Sequence, residues 1–193
     1  MGIEKLITTK LTNERWLNLY RTSYTKDGVP CDWTFASRGR DPSGGPKKKE
    51  DAVVVIATTT EKPPRVVVIS EYRVPIQGWE YHFPAGVMEP GQTVEQMAAK
   101  ELLEEAGCIL DEVRAVSPLL VSSAGMSDEM SRMVFCTCHP DEGGQRLEPH
   151  EIIEPMLLDA SQVESLLAHT DILWAAKSWP ILKFYVLPLL LGL

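Results

Sequence analysis

Glu101, Glu104 and Glu105 crowd into the run Lys100-Glu101-Leu102-Leu103-Glu104-Glu105-Ala106-Gly107-Cys108. On an α-helix, at about 100° per residue, the three fall within a sector of about 100°. Carboxylates held that close repel one another, and a cation relieves the repulsion. An oxygen-only, multiply anionic cluster suits a hard divalent ion, Mg2+ or Mn2+. The competing explanation of an acidic run is a solvated helix face. Two features count against it. Val94, Met97 and Ala98 share the glutamates' sector of the helical wheel, so the carboxylates extend an apolar, inward-facing seam. The helix is also entered through Pro84-Ala85-Gly86-Val87-Met88-Glu89-Pro90-Gly91, a loop dense in turn residues.

The elements that must carry this helix can be read from the rest of the pattern. Trp16 to Tyr24 and Cys31 to Ser37 are β-rich runs separated by Lys26-Asp27-Gly28, which predicts an N-terminal antiparallel hairpin. A linker is expected across Pro42-Ser43-Gly44-Gly45-Pro46, followed by Lys47-Lys48-Lys49. Valine- and isoleucine-rich strands are expected at Ala52 to Thr59 and Arg65 to Tyr72 around a Pro63-Pro64 turn, and Trp79 to Phe83 leads into the glutamate helix. Further strands are expected near Glu112 to Leu120, Met130 to Cys138 and Ile152 to Leu158, with helices near Ala160 to Ala168 and from Ile172 on. Strands and helices mix without regular βαβ alternation, which favours an α/β fold with a mixed sheet between helices over a doubly wound parallel sheet.

With 193 residues, 44% of them hydrophobic, the chain can bury a real core, and one domain with an appendage is expected. The appendage is residues 1–46, an N-terminal β region and linker; the main domain is residues 47–193. A net charge of −8 argues against a nucleic-acid partner, because phosphate backbones are bound by clustered Lys and Arg. Four cysteines and a start without a signal-peptide pattern fit a cytoplasmic location. Cys136-x-Cys138-His139 lacks a second ligand pair at useful spacing and falls in an expected strand, so zinc is not expected there. The apolar run Phe184 to Leu193 is interrupted by Pro188 and is far shorter than the roughly 20 residues of a span. A terminal helix or tail packed on the core or on a partner subunit is expected instead of a membrane anchor.

The segment from Gly86 to Cys108 resembles the Nudix box, Gly-x5-Glu-x7-Arg-Glu-U-x-Glu-Glu-x-Gly-U with U a bulky aliphatic residue. Gly86, Glu101, Leu102, Glu104, Glu105 and Gly107 match at the right offsets, whereas Gln92, Lys100 and Cys108 depart from it. Beyond the box the chain is similar to the ADP-ribose pyrophosphatase branch of Nudix hydrolases. That similarity rests on the hairpin with Trp16 and Trp33, on Glu71-Tyr72-Arg73-Val74-Pro75, and on Ser123-Ala124-Gly125-Met126-Ser127-Asp128-Glu129.

The resemblance implies a Nudix α/β/α sandwich that hydrolyses the pyrophosphate of ADP-ribose, or of a related nucleoside diphosphate sugar, to AMP and ribose 5-phosphate or another sugar phosphate. It implies Mg2+ or Mn2+ held by Glu101, Glu104, Glu105 and the backbone carbonyl of Ala85. Trp16 and Trp33 match tryptophans that sandwich the adenine across a homodimer, although both would also serve as ordinary half-buried strand residues. Arg73 matches a phosphate-contacting arginine, and Arg38 and Gly125 join it as substrate-binding candidates. The general base is assigned to the segment Arg146 to Glu154, with Glu151 first and Glu148 second; Glu104 is the remaining catalytic candidate.

Besides Cys108, three departures from the family pattern bear on the site. Gln92 and Lys100 replace an ion-paired Glu and Arg, leaving a neutral-to-cation hydrogen bond between them as the expected substitute. His82 replaces a glutamate two residues before Pro84, which removes a carboxylate from the metal's surroundings. A second class of function, a Nudix-fold nucleotide-binding module with little turnover, therefore stands beside the enzyme.

Overall fold

The structure, a computed structural model, describes residues 2–38, 42 and 49–193. The linker expected after Pro42 and the Lys47-Lys48 pair lie outside the described residues. Two compact units divide the chain: Met1–Ala52 with Leu119–Ser131, and Val53–Pro118 with Arg132–Leu193.

The first unit is built on three antiparallel strands in the order β1 (Ile3–Lys10), β2 (Asn18–Lys26), β3 (Val29–Ser37). Asp27 and Gly28 form the two-residue turn between β2 and β3 with φ of 49° and 82°, left-handed values that Asp-Gly tolerates. The expected hairpin is therefore part of a larger sheet. β1 escapes notice because Ile3, Leu6 and Ile7 do not alternate; a bulge between Glu4 and Ile7, with Lys5 at φ 55°, resets the pleat.

β2 begins at Asn18, not at Trp16. Asn18 is buried and its amide closes the preceding loop, accepting from Glu14 N–H at 2.7 Å and donating to Glu14 O at 2.8 Å. Strand pairing starts only where that loop ends. In the same unit β9 (Leu120–Val121) pairs with the first residues of β10 (Met130–Pro140), and the turn between them meets the end of β3. Ala36 N–H donates to Met126 O at 2.8 Å, and Ser37 Oγ donates to Asp128 at 2.9 Å.

The second unit holds a mixed sheet. Its path is β12 (Leu173–Trp174), β6 (Gly78–His82), β5 (Val66–Arg73), β4 (Ala52–Thr59), β10 and β8 (Cys108–Val116); β11 (Ile153–Leu158) pairs with β5, and β7 (Ala85–Val87) with β4. The β12–β6 pair is parallel, while β5–β6, β5–β11 and β8–β10 are antiparallel. The mixed α/β sheet expected from the element order is what forms. β8 starts four residues before the expected Glu112, directly after Gly107, because that glycine adopts φ 60° and turns the chain out of the preceding helix at once.

Among the described residues, besides a short 3-10 turn at Val74–Ile76, the helices are α1 (Val94–Ala106), α2 (Ala160–Ala168) and a C-terminal run made of α3 (Ser178–Ile181), a π-helical turn (Leu182–Val186) and α4 (Leu187–Leu191). The helix expected from Ile172 thus starts later, its first residues being taken by β12. Leu182 and Val186 are fully buried, and Tyr185 meets Phe135 of β10 edge-on at 5.2 Å, so the apolar tail is a terminal helix seated on the core. Among the described residues no helix is long and apolar enough to cross a membrane.

Candidate active site

Helix α1 is locked at both ends. Thr93 and Gln96 form a reciprocal capping box at its start, a device contributing about 1 kcal/mol. Its buried face carries Met97, Ala98, Glu101, Leu102 and Glu105. Ala98 and Leu102 pack among Val55, Val67, Val134 and Cys136, so burial of the apolar seam carries the two glutamates inward with it.

The entry loop is shaped around them. Ala85 N–H donates to Glu105 Oε2 at 2.8 Å. A Cβ on Gly86 would coincide with the carboxylate of Glu101, so only glycine leaves that side chain its place. Burial is the first cause of an upward shift in both carboxyls: Glu101 is pushed up to about 7, and Glu105 to about 8 despite its bond from Ala85. Glu105 is also raised by the charge of Glu101, and both feel that of Glu151.

Glu104 stands at the rim of this pair, part-exposed, with Lys100 Nζ at 3.5 Å. Lys100 donates to Glu89 at 2.5 Å, the first cause of its raised pKa. The expected partner was Gln92, and the structure corrects this: Gln92 is exposed, and its backbone N–H bonds to Glu89 O at 3.3 Å. A full carboxylate outcompetes an amide for an ammonium.

The loop after β10 is tied to the end of α1. Gln145 Nε2 donates to Glu105 O at 2.5 Å, Arg146 N–H to Glu104 O at 2.9 Å, and Asp141 N–H to Gly107 O at 2.8 Å. From this anchored loop come Glu148, His150 and Glu151. Glu148 N–H donates to Glu151 Oε2 at 2.8 Å, and the three side chains' ligand atoms lie within 4.8 Å of one another. Glu148 and His150 are exposed; it is Glu151 whose charge reaches Glu101 and Glu105.

Strand β5 adds a cation. Arg73 Nη1 donates to Glu71 Oε1 at 2.7 Å, and Nε donates to Glu80 Oε2 of β6 at 3.2 Å. The other oxygen of Glu71 meets His82 Nε2 at 3.0 Å, and His82 Nδ1 lies 2.8 Å from Phe83 O. Glu71, Glu80 and Glu89 are contributors that the sequence reading did not single out. Glu71 and Arg73 share one face of β5 by alternation, the signal by which the first could have been found.

The second unit thus brings together Ala85, Glu101, Glu104, Glu105 and, electrostatically, Glu151, with Arg73 on β5. Glu148 lies in the second unit too, exposed next to Glu151, whereas Trp16, Trp33, Arg38 and Gly125 belong to the first. Trp16 lies in the loop before β2, 69% exposed, with the Arg15 guanidinium 4.4 Å above its ring. Trp33 sits on β3 opposite Thr22 and lines a shallow hollow with Ile3, Leu6 and Tyr24. Arg38 pairs with Glu129 at 3.3 Å, and Gly125 is in the β9–β10 turn with open space where a Cβ would go. Of the Cys136-x-Cys138-His139 motif, the two cysteines are buried in the core and His139 pairs with Asp111 at 2.6 Å.

Two desolvated carboxylates with a third at the rim, and a glycine that leaves one of them its space, fit a hard divalent cation bound through oxygen. The raised carboxyls make this testable without turnover. Both values lie above the unfolded carboxyl's roughly 4.3, so the protonated form is favoured by folding. Their contribution to stability is present in full below about pH 4 and is lost as pH rises through about 7 and about 8. Scanning calorimetry in EDTA should therefore show Tm falling between about pH 5 and pH 9, with the rise caused by Mg2+ growing over the same window. A Mg2+ effect independent of pH across it would count against these two ligands.

The NUDIX domain profile matches residues 48–179. The chain is 33% identical over 79 residues to the ADP-sugar pyrophosphatase of Mus musculus, covering 41% of this chain and 36% of that one. It is 35% identical over 74 residues to the ADP-ribose pyrophosphatase of Escherichia coli K12, covering 36% and 35%. These alignments span little more than a third of the length of either relative. A solved structure described as an ADP compounds hydrolase superposes with TM-score 0.68 at 18% identity, covering 89% of this chain and 85% of that one, a likeness of fold.

Proposed function

Since this chain belongs to the NUDIX family, we propose that it hydrolyses the pyrophosphate bond of ADP-ribose or a related nucleoside diphosphate sugar, releasing AMP and ribose 5-phosphate or the corresponding sugar phosphate. The observation that carries the reading is the buried pair Glu101 and Glu105 beside the Ala85-Gly86 turn. Mg2+ or Mn2+ would be held by Glu101, Glu105, Glu104 and the Ala85 carbonyl. Bound there, the ion supplies positive charge against the pyrophosphate oxygens, where charge builds as the bond breaks.

The chain's own groups do the rest. Glu151 takes a proton from the attacking water, because its charge already reaches the Glu101 and Glu105 carboxylates while exposed Glu148 is the next candidate. Arg73 offers its guanidinium to a phosphate, held in place by Glu71 and Glu80. Trp16 and Trp33 stack on the adenine, and Arg38 and Gly125 border the substrate.

Residues 1–46 act as the adenine-binding and dimerisation region, and residues 47–193 as the hydrolase domain. A homodimer is supported by the exposed apolar side chains of the β1–β3 sheet, with Ile3, Leu6 and Ile7 each more than half exposed and Trp33 50% exposed. Free cysteines, Cys31, Cys108, Cys136 and Cys138, accord with a reducing, cytoplasmic setting.

The test is to incubate the protein with ADP-ribose, ADP-glucose and other nucleoside diphosphate derivatives in Mg2+ and follow AMP and the sugar phosphate by chromatography. Tight binding without AMP would replace the enzyme by a nucleotide-binding module. In the same assay, Trp33→Ala should weaken ADP-ribose binding by about 1–3 kcal/mol, the worth of a base stacked on an aromatic ring. An unchanged Kd would remove Trp33 from the site.

A further inference from the structure

We propose that His82 is a positioning residue for phosphate recognition, acting through Glu71 to aim the guanidinium of Arg73. This rests on the reading of Arg73 as a phosphate contact. The relay is continuous in the structure. Phe83 O holds His82 Nδ1 at 2.8 Å, His82 Nε2 holds Glu71 Oε2 at 3.0 Å, Glu71 Oε1 holds Arg73 Nη1 at 2.7 Å, and Glu80 Oε2 holds Arg73 Nε at 3.2 Å. Every link lies on β5, β6 or the residue that follows β6.

Burial turns the relay into a constraint. The His82 side chain is 5% exposed and that of Glu71 12%, whereas Arg73 is 40% exposed. The anchored end is inside, and the cation is presented at the surface end. With Nε and Nη1 committed to carboxylates, Nη2 has no protein partner among the described residues and is the arm left for a phosphate oxygen. Glu71 is placed by its two oxygens, one on each neighbour. Without the imidazole it would be held only by the flexible arginine it is meant to hold.

The pairing is specific in charge as well. Both ring nitrogens of His82 face acceptors, a carbonyl and a carboxylate, and they are satisfied together when the ring donates from both or when Glu71 carries the second proton. A glutamate at 82, the residue the Nudix resemblance would put there, would instead set a carboxylate against Glu71. Histidine at 82 and glutamate at 71 are a matched pair, and the match makes position 82 a support for the phosphate cation.

Two amides separate positioning from packing. In His82→Gln the amide nitrogen can reach the place of Nε2 and keep the bond to Glu71. In His82→Asn it reaches only the place of Nδ1, keeping Phe83 O and losing Glu71. We expect His82→Asn to raise KM for ADP-ribose about 10-fold with kcat little changed, and His82→Gln to restore most of the loss. Kd for ADP-ribose by calorimetry should follow KM.

The effect of His82→Asn should disappear in an Arg73→Ala background. Equal KM values for the Asn and Gln variants, or a KM effect of His82→Asn that persists without Arg73, would overturn the relay while leaving Arg73's role intact. If Arg73→Ala alone leaves KM unchanged, the phosphate-contact reading and the relay both fall. Should His82→Asn not fold, Glu71→Gln, which weakens the same bridge, must raise KM in its place; an unchanged KM there overturns the proposal.

Discussion

Glu105→Gln is expected to lower kcat/KM for ADP-ribose by about 100-fold or more while leaving the fold intact. The substitution removes one charge at nearly constant volume. Its amide oxygen can still accept from Ala85 N–H, which donates to Glu105 at 2.8 Å, so the entry turn keeps its anchor. What disappears is a carboxylate that burial has already made reluctant to ionise, pushed up to about 8.

That reluctance gives the experiment a second readout. A buried neutral amide needs no ionisation, so the metal-free variant should melt at or above the Tm of the native protein near pH 8, and Mg2+ should raise its Tm less. Lost activity with retained Tm and a blunted Mg2+ response identifies a ligand; lost activity with a collapsed Tm would identify a structural residue. Activity unchanged in the variant, or persisting in the native protein in excess EDTA, would remove Glu105 from the metal site.

The glutamate helix was legible because two independent periodicities agree on it. The apolar residues and the carboxylates occupy one sector of the wheel, and a helix that buries Ala98 and Leu102 has no choice but to bury Glu101 and Glu105 with them. The valine-rich β4 and β5 were legible for a related reason: strands covered on both faces read as continuous apolar runs. Local disruption hid other elements. β1 loses its alternation to the bulge at Lys5, and β12 is two residues long, too short to carry a period.

Partners across the fold were the least legible. Sequence alone pairs Lys100 with Gln92, eight positions earlier, yet its ammonium goes to Glu89. By position alone His82 is the loss of a carboxylate. Its actual environment depends on register, because Ile69 is its partner across β5 and β6 and Glu71 lies two residues further along β5, on the same face. Substitution tables compare positions one at a time, whereas the structure shows that the residue at 82 has meaning only together with the one at 71.

Gly86→Ala is expected to remove activity to about the same extent as Glu101→Ala, and the two changes together should cost little more than either alone. Gly86 does not sit at positive φ, so its backbone is open to any residue, and the demand for glycine is steric. A Cβ there would coincide with the Glu101 carboxylate, whose residue is 8% exposed and has little room to withdraw. Overpacking of this kind typically costs about 1–3 kcal/mol of stability, relieved by moving the carboxylate out of place. In a Glu101→Ala background the obstructing atoms are gone, so adding the methyl at 86 should become nearly neutral for Tm. Gly78→Ala provides the control, since a Cβ there meets its nearest neighbour at an ordinary 3.6 Å. A double-mutant cycle on Tm and on kcat/KM checks the argument, with non-additivity expected in both. Full activity in Gly86→Ala, or a Tm loss of the same size with and without the Glu101 carboxylate, would mean that the glycine is not there to make way for it.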